Sequence, residues 1–226
     1  MRSHTVHAVM AVKHIGRAKS RLAEVLTAEQ RGQLVLAMFA DTVVAVTAVP
    51  EVFSLTVVTP DPRVAARAGE LGAHVLAEPT GAADPLNAAL AAAARDVRDR
   101  YGPVALLAVQ ADLPALRPAE LTELLTAAPD GARSVVIDHT GTGTAALLVR
   151  DPTAALDPRF GADSARAHRA QGAHPLPGHW PGLRHDVDTP ADLAAVRALG
   201  VGAYTATVLR EFGLTDPRSD PVRTVC

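Results

Sequence analysis

Cysteine is almost missing from this chain: of 226 residues only the last, Cys226, carries a thiol. A single cysteine cannot close an intrachain disulfide, and it leaves no cysteine-based zinc site. That usage fits a reducing, cytoplasmic setting. Cys226 also stands at the wrong place for prenylation, which needs a cysteine four residues from the end. Aromatic residues make up only 3%. The core must therefore be built from Ala, Val and Leu, which suits helices packed on a hydrophobic sheet. No apolar run of about 18 residues is present, and the start shows no basic-then-apolar leader, so no membrane association is expected. A dominant charge is lacking too: 22 Lys and Arg stand against 24 Asp and Glu, net -2. A nucleic-acid-binding surface normally shows a basic excess, so no nucleic-acid partner is expected. Nucleotide binding needs only local positive charge. Two glycine signatures are also absent. Without GxxxxGK[ST] there is no Walker loop, and without GxGxxG after the first strand a dehydrogenase is a poor reading.

What is present is 48% apolar residues against 20% charged, enough for a buried core. The length suits one α/β domain. We expect it over 1–213, followed by a loose polar tail over 214–226. Abundant Ala and Arg with scarce Lys indicate a GC-rich genome.

Short apolar runs alternate with helical patterns. Strands are predicted at 5–12, 54–59, 73–76, 103–109, 133–138 and 144–150, with a last one at 183–187. Helices are predicted at 28–49, 62–71, 85–100, 118–127, 162–170 and 190–199. Asp84 and Thr189 are natural caps, each followed by a proline at the first helical position. This alternation predicts a single-domain, Rossmann-like α/β fold with a mostly parallel sheet and helices on both faces. Ligands of such sheets bind beyond the carboxyl ends of the strands.

Three segments stand there. After the first strand, 12–22 carries Lys13, Arg17, Lys19 and Arg21 with Gly16. A triphosphate needs such cations and free backbone N–H groups; the plain alternative is a solvated loop. After the central strand comes Gln110-Ala111-Asp112-Leu113-Pro114. An Asp leaving an apolar strand is costly to bury unless it holds a cation or accepts hydrogen bonds. Its ordinary reading is a turn or N-cap. Near the end, Asp186 and Asp188 alternate and face one side if the segment is extended. Asp186 is the better ligand and Thr189 the better cap; whether Asp188 also touches metal stays open. Magnesium takes one or two carboxylates plus phosphate oxygens and water. A cationic loop with two carboxylate sources is the parts list of nucleotidyl transfer. Two more segments offer N–H groups to an anion: the Gly141-Thr142-Gly143-Thr144 turn, and Gly161 to Ser164 ahead of a helix. Ser164 also reads as a plain N-cap. His168, about one turn further on, is expected at the surface.

These residues resemble the CofC/FbiD guanylyltransferases. The likeness rests on VKHIGRAKSRLA (12–23), PLNAAL (85–90), ADLPAL (111–116), FGADSARAH (160–168) and DVDTPADL (186–193), in that order. It implies a glycosyltransferase-A-type nucleotidyltransferase fold. It also implies transfer of GMP from GTP to a three-carbon phospho-acid in biosynthesis of the deazaflavin coenzyme F-420. The acceptor would be phosphoenolpyruvate, 2-phospho-L-lactate or 3-phosphoglycerate, with hand-over of an unstable product to a downstream transferase. A GC-rich origin suggests an actinobacterium, for which the resemblance points to phosphoenolpyruvate. Carried over, Lys13, Lys19 and Arg21 would hold the triphosphate, and Leu86 and Asn87 would sit near guanine or ribose. Asp112 and Asp186 would ligate Mg2+. Thr144, Gly161 and Ser164 would hold the acceptor. Pro85 stands where many relatives have Gly, which loosens the base-recognition assignment. One alternative keeps the fold but uses CTP or UTP with a sugar or alcohol phosphate. Another is a nucleotide-binding domain without catalysis, which has less need of both Asp112 and Asp186.

Overall fold

Val6–Ala11 (β1) is buried along nearly its whole length, as a strand covered on both faces must be. In the computed structural model, which describes residues 5–17 and 19–214, it pairs in parallel with Val52–Val58 (β2) on one side. Ala105–Val109 (β4) pairs with it in parallel on the other side. His74–Leu76 (β3) extends the β2 edge, also parallel. Thr144–Val149 (β6) then runs antiparallel between β4 and Arg133–Ile137 (β5). The two-residue His174–Pro175 (β7) closes that edge in parallel with β5. The sheet order is β3-β2-β1-β4-β6-β5-β7. The α/β class and the mostly parallel sheet are as expected.

Helices start where capping chemistry places them. Ala28–Thr47 (α1) opens with a capping box: the Thr27 hydroxyl accepts the Gln30 N–H at 3.2 Å and Gln30 Oε1 accepts the Thr27 N–H at 3.0 Å. Pro62–Glu70 (α2) and Pro85–Tyr101 (α3) follow Asp61 and Asp84, each with proline in the first turn. Pro118–Ala127 (α4) follows Arg117. Later come Ser164–Ala170 (α5), Pro181–Arg184 (α6), Pro190–Leu199 (α7) and Ala203–Glu211 (α8). The helices divide the core in two. One side joins α1, α4, α7 and α8 to the sheet around Met38, Phe39, Leu107 and Leu121. The other joins α3 to it around Leu90, Ala93, Leu106 and Leu147. Leu214, assigned above to the tail, packs against the first of these. Cys226 and the rest of the expected tail lie outside the described residues.

Two expectations change. The strand expected at 183–187 is instead the short helix α6 followed by irregular chain. Its two apolar residues do face the core, since Leu183 and Val187 are both fully buried. But the Gly182 N–H donates to Glu120 Oε1 at 2.9 Å, and Pro181 starts a helical turn. His168, expected at the surface, is fully buried. Helix α8 was not anticipated. Its cap comes from far away: Asp41 of α1 accepts the N–H groups of Tyr204 at 3.0 Å and Thr205 at 2.7 Å.

Candidate active site

The carboxyl ends of β1, β4 and β5 and the start of β6 meet at one end of the sheet, and a cleft of about 520 Å³ opens there. Its apolar wall comes from Val35 and Phe39 of α1 and Leu86 and Leu90 of α3. Its polar floor comes from Lys13, Lys19, Gln110, Asp112, Asp138, Asp186 and Asp188.

The loop after β1 is held in place from below. Asp61, buried at the start of α2, accepts the Ile15 N–H at 3.1 Å and the Arg63 N–H at 2.9 Å. Burial acts to raise its pKa, but these N–H groups outweigh that and hold the carboxyl below its ordinary range. Lys19 then adopts a left-handed backbone, φ 55, which a non-glycine residue enters only under constraint. Its side chain turns inward, in contact with Asp112 Oδ2 and 2.8 Å from Asp188 Oδ1. Lys13 is exposed and lines the cleft; Arg21 is exposed and does not line it. The Arg17 side chain lies outside the described parts.

Asp112 leaves β4 on a turn fixed by α1, because the Thr42 hydroxyl accepts the Leu113 N–H at 3.0 Å. Asp188 is set by the opening of α7, where Asp192 Oδ2 accepts the Asp188 N–H at 3.1 Å and the Thr189 N–H at 2.7 Å. One oxygen each from Asp112, Asp186 and Asp188 falls within 4.8 Å of the others. Asp188, left open above, thus belongs to the cluster. Burial first, then the charges of Asp112 and Asp188, push the Asp186 carboxyl up to about 6. On Lys19, burial opposes the charge, but Asp112 and Asp188 overcome it and raise its pKa. Three converging carboxylates suit a hard divalent cation, and the Lys19 ammonium already neutralises two of them.

The opposite lip is the Phe160–Ser164 turn, where Phe160, Gly161 and Ser164 line the cleft. Gly161 has φ 129, a conformation that L side chains rarely adopt. Two side chains pin this lip. Asn87 accepts the Phe160 N–H at 2.8 Å and donates to the Phe160 carbonyl at 2.9 Å. His168 Nε2 accepts the Arg159 N–H at 2.9 Å, so its proton sits on Nδ1, 3.0 Å from the Thr144 hydroxyl. Asn87 and Thr144 therefore support the lip and do not line the cleft. The turn before β6 is equally tight: a Cβ on Gly143 would lie 2.2 Å from Asp138 Oδ2.

A model of the family described as "Guanylyl transferase CofC like" matches residues 6–224. The chain belongs to this family. Among similar CofC-like proteins, a phosphoenolpyruvate guanylyltransferase of Nocardia farcinica is 58% identical, with all of both chains covered. One from Rhodococcus erythropolis is 53% identical over 95% of this chain and all of the relative. Solved structures share the fold. A putative nucleotide-diphospho-sugar transferase from Desulfovibrio desulfuricans G20 superposes with a TM-score of 0.69 at 18% identity, covering 93% of this chain and 95% of that one. A nucleotidyl transferase from Methanothermobacter thermautotroptrophicus gives 0.60 at 19% identity over 92% and 99%. Among the described residues, no helix of this CofC-like chain is long and apolar enough to cross a membrane.

The sequence pattern missed His139 and Asp138. His139 follows β5 and brings Nδ1 to 3.6 Å from Asp186 Oδ1. Its only signal was its place after a strand, next to a glycine-rich turn.

Proposed function

We propose that this protein transfers GMP from GTP to phosphoenolpyruvate in the cytoplasm, releasing pyrophosphate, as a step in deazaflavin coenzyme F-420 biosynthesis. The observation that carries the reading is the Asp112, Asp186 and Asp188 cluster with Lys19 at the floor of the cleft. Family membership and the names of close relatives supply the nucleotide and the acid.

In the reaction, an oxygen of the acceptor phosphate attacks the α-phosphorus of GTP. The bond from that phosphorus to the β-phosphate oxygen breaks, and pyrophosphate leaves. Mg2+ held by Asp112 and Asp186 would neutralise charge on the α-phosphate and the leaving group. Lys13 and Lys19 set positive charge beside the triphosphate. Arg21 is exposed and does not line the cleft, so its role at the triphosphate rests on the family resemblance. Leu86 offers an apolar surface to the base, and Asn87 acts on the site by holding Phe160. Gly161 and Ser164 present the lip to the acceptor acid, with Thr144 buttressing it through His168. The guanylylated acid is unstable, which favours hand-over to a downstream transferase.

The test is pyrophosphate release with magnesium, each of GTP, CTP, UTP and ATP, and each of phosphoenolpyruvate, 2-phospho-L-lactate and 3-phosphoglycerate. The downstream transferase is added to consume product. GTP with phosphoenolpyruvate is the expected active pair. Silence with every acid, but release with CTP or UTP and a sugar phosphate, would replace this reading.

A further inference from the structure

Behind the lip of the cleft lies a second groove of about 510 Å³, close in volume to the cleft itself. One wall is a single face of α3, where Asn87, Ala91, Arg95 and Arg98 follow one another at helical spacing. The other wall is the irregular chain over 155–159 that leads into the lip. A cavity of this size suits a small molecule.

Its chemistry is that of an anion site on an apolar floor. Ala94, Leu156 and Pro158 are buried and line it. The guanidiniums of Arg95, Arg98 and Arg159 line it too, against one carboxylate, that of Asp157. That carboxylate is already engaged: Arg159 Nη2 lies 3.1 Å from its Oδ1, and Gln171 Nε2 donates to its Oδ2. Arg95 makes no hydrogen bond or ion pair among the described residues. Arg98 Nη2 donates to the Ala154 carbonyl at 2.6 Å, but its Nε is buried with no hydrogen-bond partner among the described residues. Burial pulls the Arg98 pKa below its ordinary value, and the Asp151 charge opposes this only in part. Asp151 is itself occupied with its own turn, accepting the Thr153 and Ala154 N–H groups. A guanidinium so placed gains from a counter-anion, and its planar fork suits phosphate.

The groove and the cleft share their anchors. Asn87 lines the groove and holds Phe160 through both its N–H and its carbonyl. Arg159 lines the groove, and His168 accepts its N–H. We propose that this groove binds a phosphorylated small molecule with an apolar body, and that the occupant braces the lip from behind. An anion held between the α3 guanidiniums and Arg159 adds a second strut beside Asn87. A lip fixed before the acceptor arrives costs less to order on binding. The bracing rests on the function proposed above; the binding itself does not.

The test is calorimetric titration of the full chain with para-nitrophenyl phosphate and, separately, inorganic phosphate, with Mg2+ and GTP saturating the cleft. One molecule of para-nitrophenyl phosphate should bind, more tightly than inorganic phosphate, because its ring covers the apolar floor. Arg95→Gln and, independently, Arg98→Gln should each weaken binding by about tenfold or more, the loss of a charge-assisted contact. Arg95 is exposed, so its variant reports even where Arg98→Gln disturbs the fold. With the groove filled, KM for phosphoenolpyruvate should fall by about fivefold or more while KM for GTP stays. Arg95→Gln should keep the basal activity and lose this response. Absence of saturable binding in the wild type overturns the site, and so does binding that survives both arginine variants. A rise in KM for phosphoenolpyruvate would place the probe in the acceptor pocket and overturn it too. Binding with neither KM changed overturns the bracing. If GTP does not occupy the cleft, the arginine variants still locate the bound probe, so the two proposals fail separately.

Discussion

The Lys19 ammonium contacts Asp112 and lies 2.8 Å from Asp188 Oδ1, bridging two carboxylates that would otherwise repel across the cleft floor. It is a cation built into the place where a divalent ion is proposed to bind. Lys19 and the ion therefore compete for Asp112.

Lys19→Met removes that competitor. Its magnesium affinity, measured by calorimetry, should rise by about tenfold or more, since one unit charge at contact is worth roughly 4 kcal/mol before desolvation is subtracted. Pyrophosphate release should nevertheless fall about a hundredfold or more, from the loss of charge beside the triphosphate. Unchanged metal affinity would show that Lys19 and the ion occupy separate places.

Asp112→Asn should nearly abolish turnover while leaving the thermal midpoint close to wild type. The side chain is partly exposed and contributes a charge rather than packing. Near-normal activity would sink the metal-site assignment.

Asn87→Ala cuts both hydrogen bonds to Phe160 and frees the lip of the cleft. Each bond is worth about 0.5–1.5 kcal/mol, so unfolding stability should drop by about 1–3 kcal/mol. KM for the acceptor should rise more than KM for GTP. The reverse ranking would mean that Asn87 meets the nucleotide directly.

His168 supplies a pH dependence. Burial, then the nearby Arg133 charge, lower its pKa to about 4. The unfolded chain protonates this ring near its ordinary value of 6.5. Between those values the unfolded state binds the extra proton. The group's contribution to stability is thus complete above 6.5 and is lost as pH falls through the window toward 4. Urea unfolding of the wild type from pH 7.5 down to 4.5 should lose about 2–3 kcal/mol from this source. His168→Gln should flatten that slope; an equally steep slope in the variant would assign it to other groups.

Much of the fold was legible because its signals are local. Thr27 with Gln30, Asp61 with Pro62, Asp84 with Pro85 and Thr189 with Pro190 mark helix starts within a few residues. Helix α8 gave no such signal. Its first N–H groups are satisfied by Asp41, more than 160 residues earlier, while Gly202 has no side chain to cap with. The strand expected at 183–187 failed for a related reason: buried apolar side chains such as Leu183 and Val187 record which positions face the core, not where the backbone N–H groups go. His168 was misplaced because α5 spans only seven residues, too few for a periodicity to reveal its buried face.

The sequence by itself determined the residue types and their order: a cationic loop and Asp112, each after an apolar run, then Asp186 and Asp188. It also determined the α/β alternation, since strand and helix periods are properties of short windows. Tertiary structure decided which of these residues meet. Lys19 and Asp188 are 169 residues apart, and only the sheet order brings the ends of β1 and β4 beside the chain that enters α7. It likewise placed β6 antiparallel between β4 and β5. Charge repulsion and desolvation act over a few ångströms of space, so distance along the chain carries almost no trace of them.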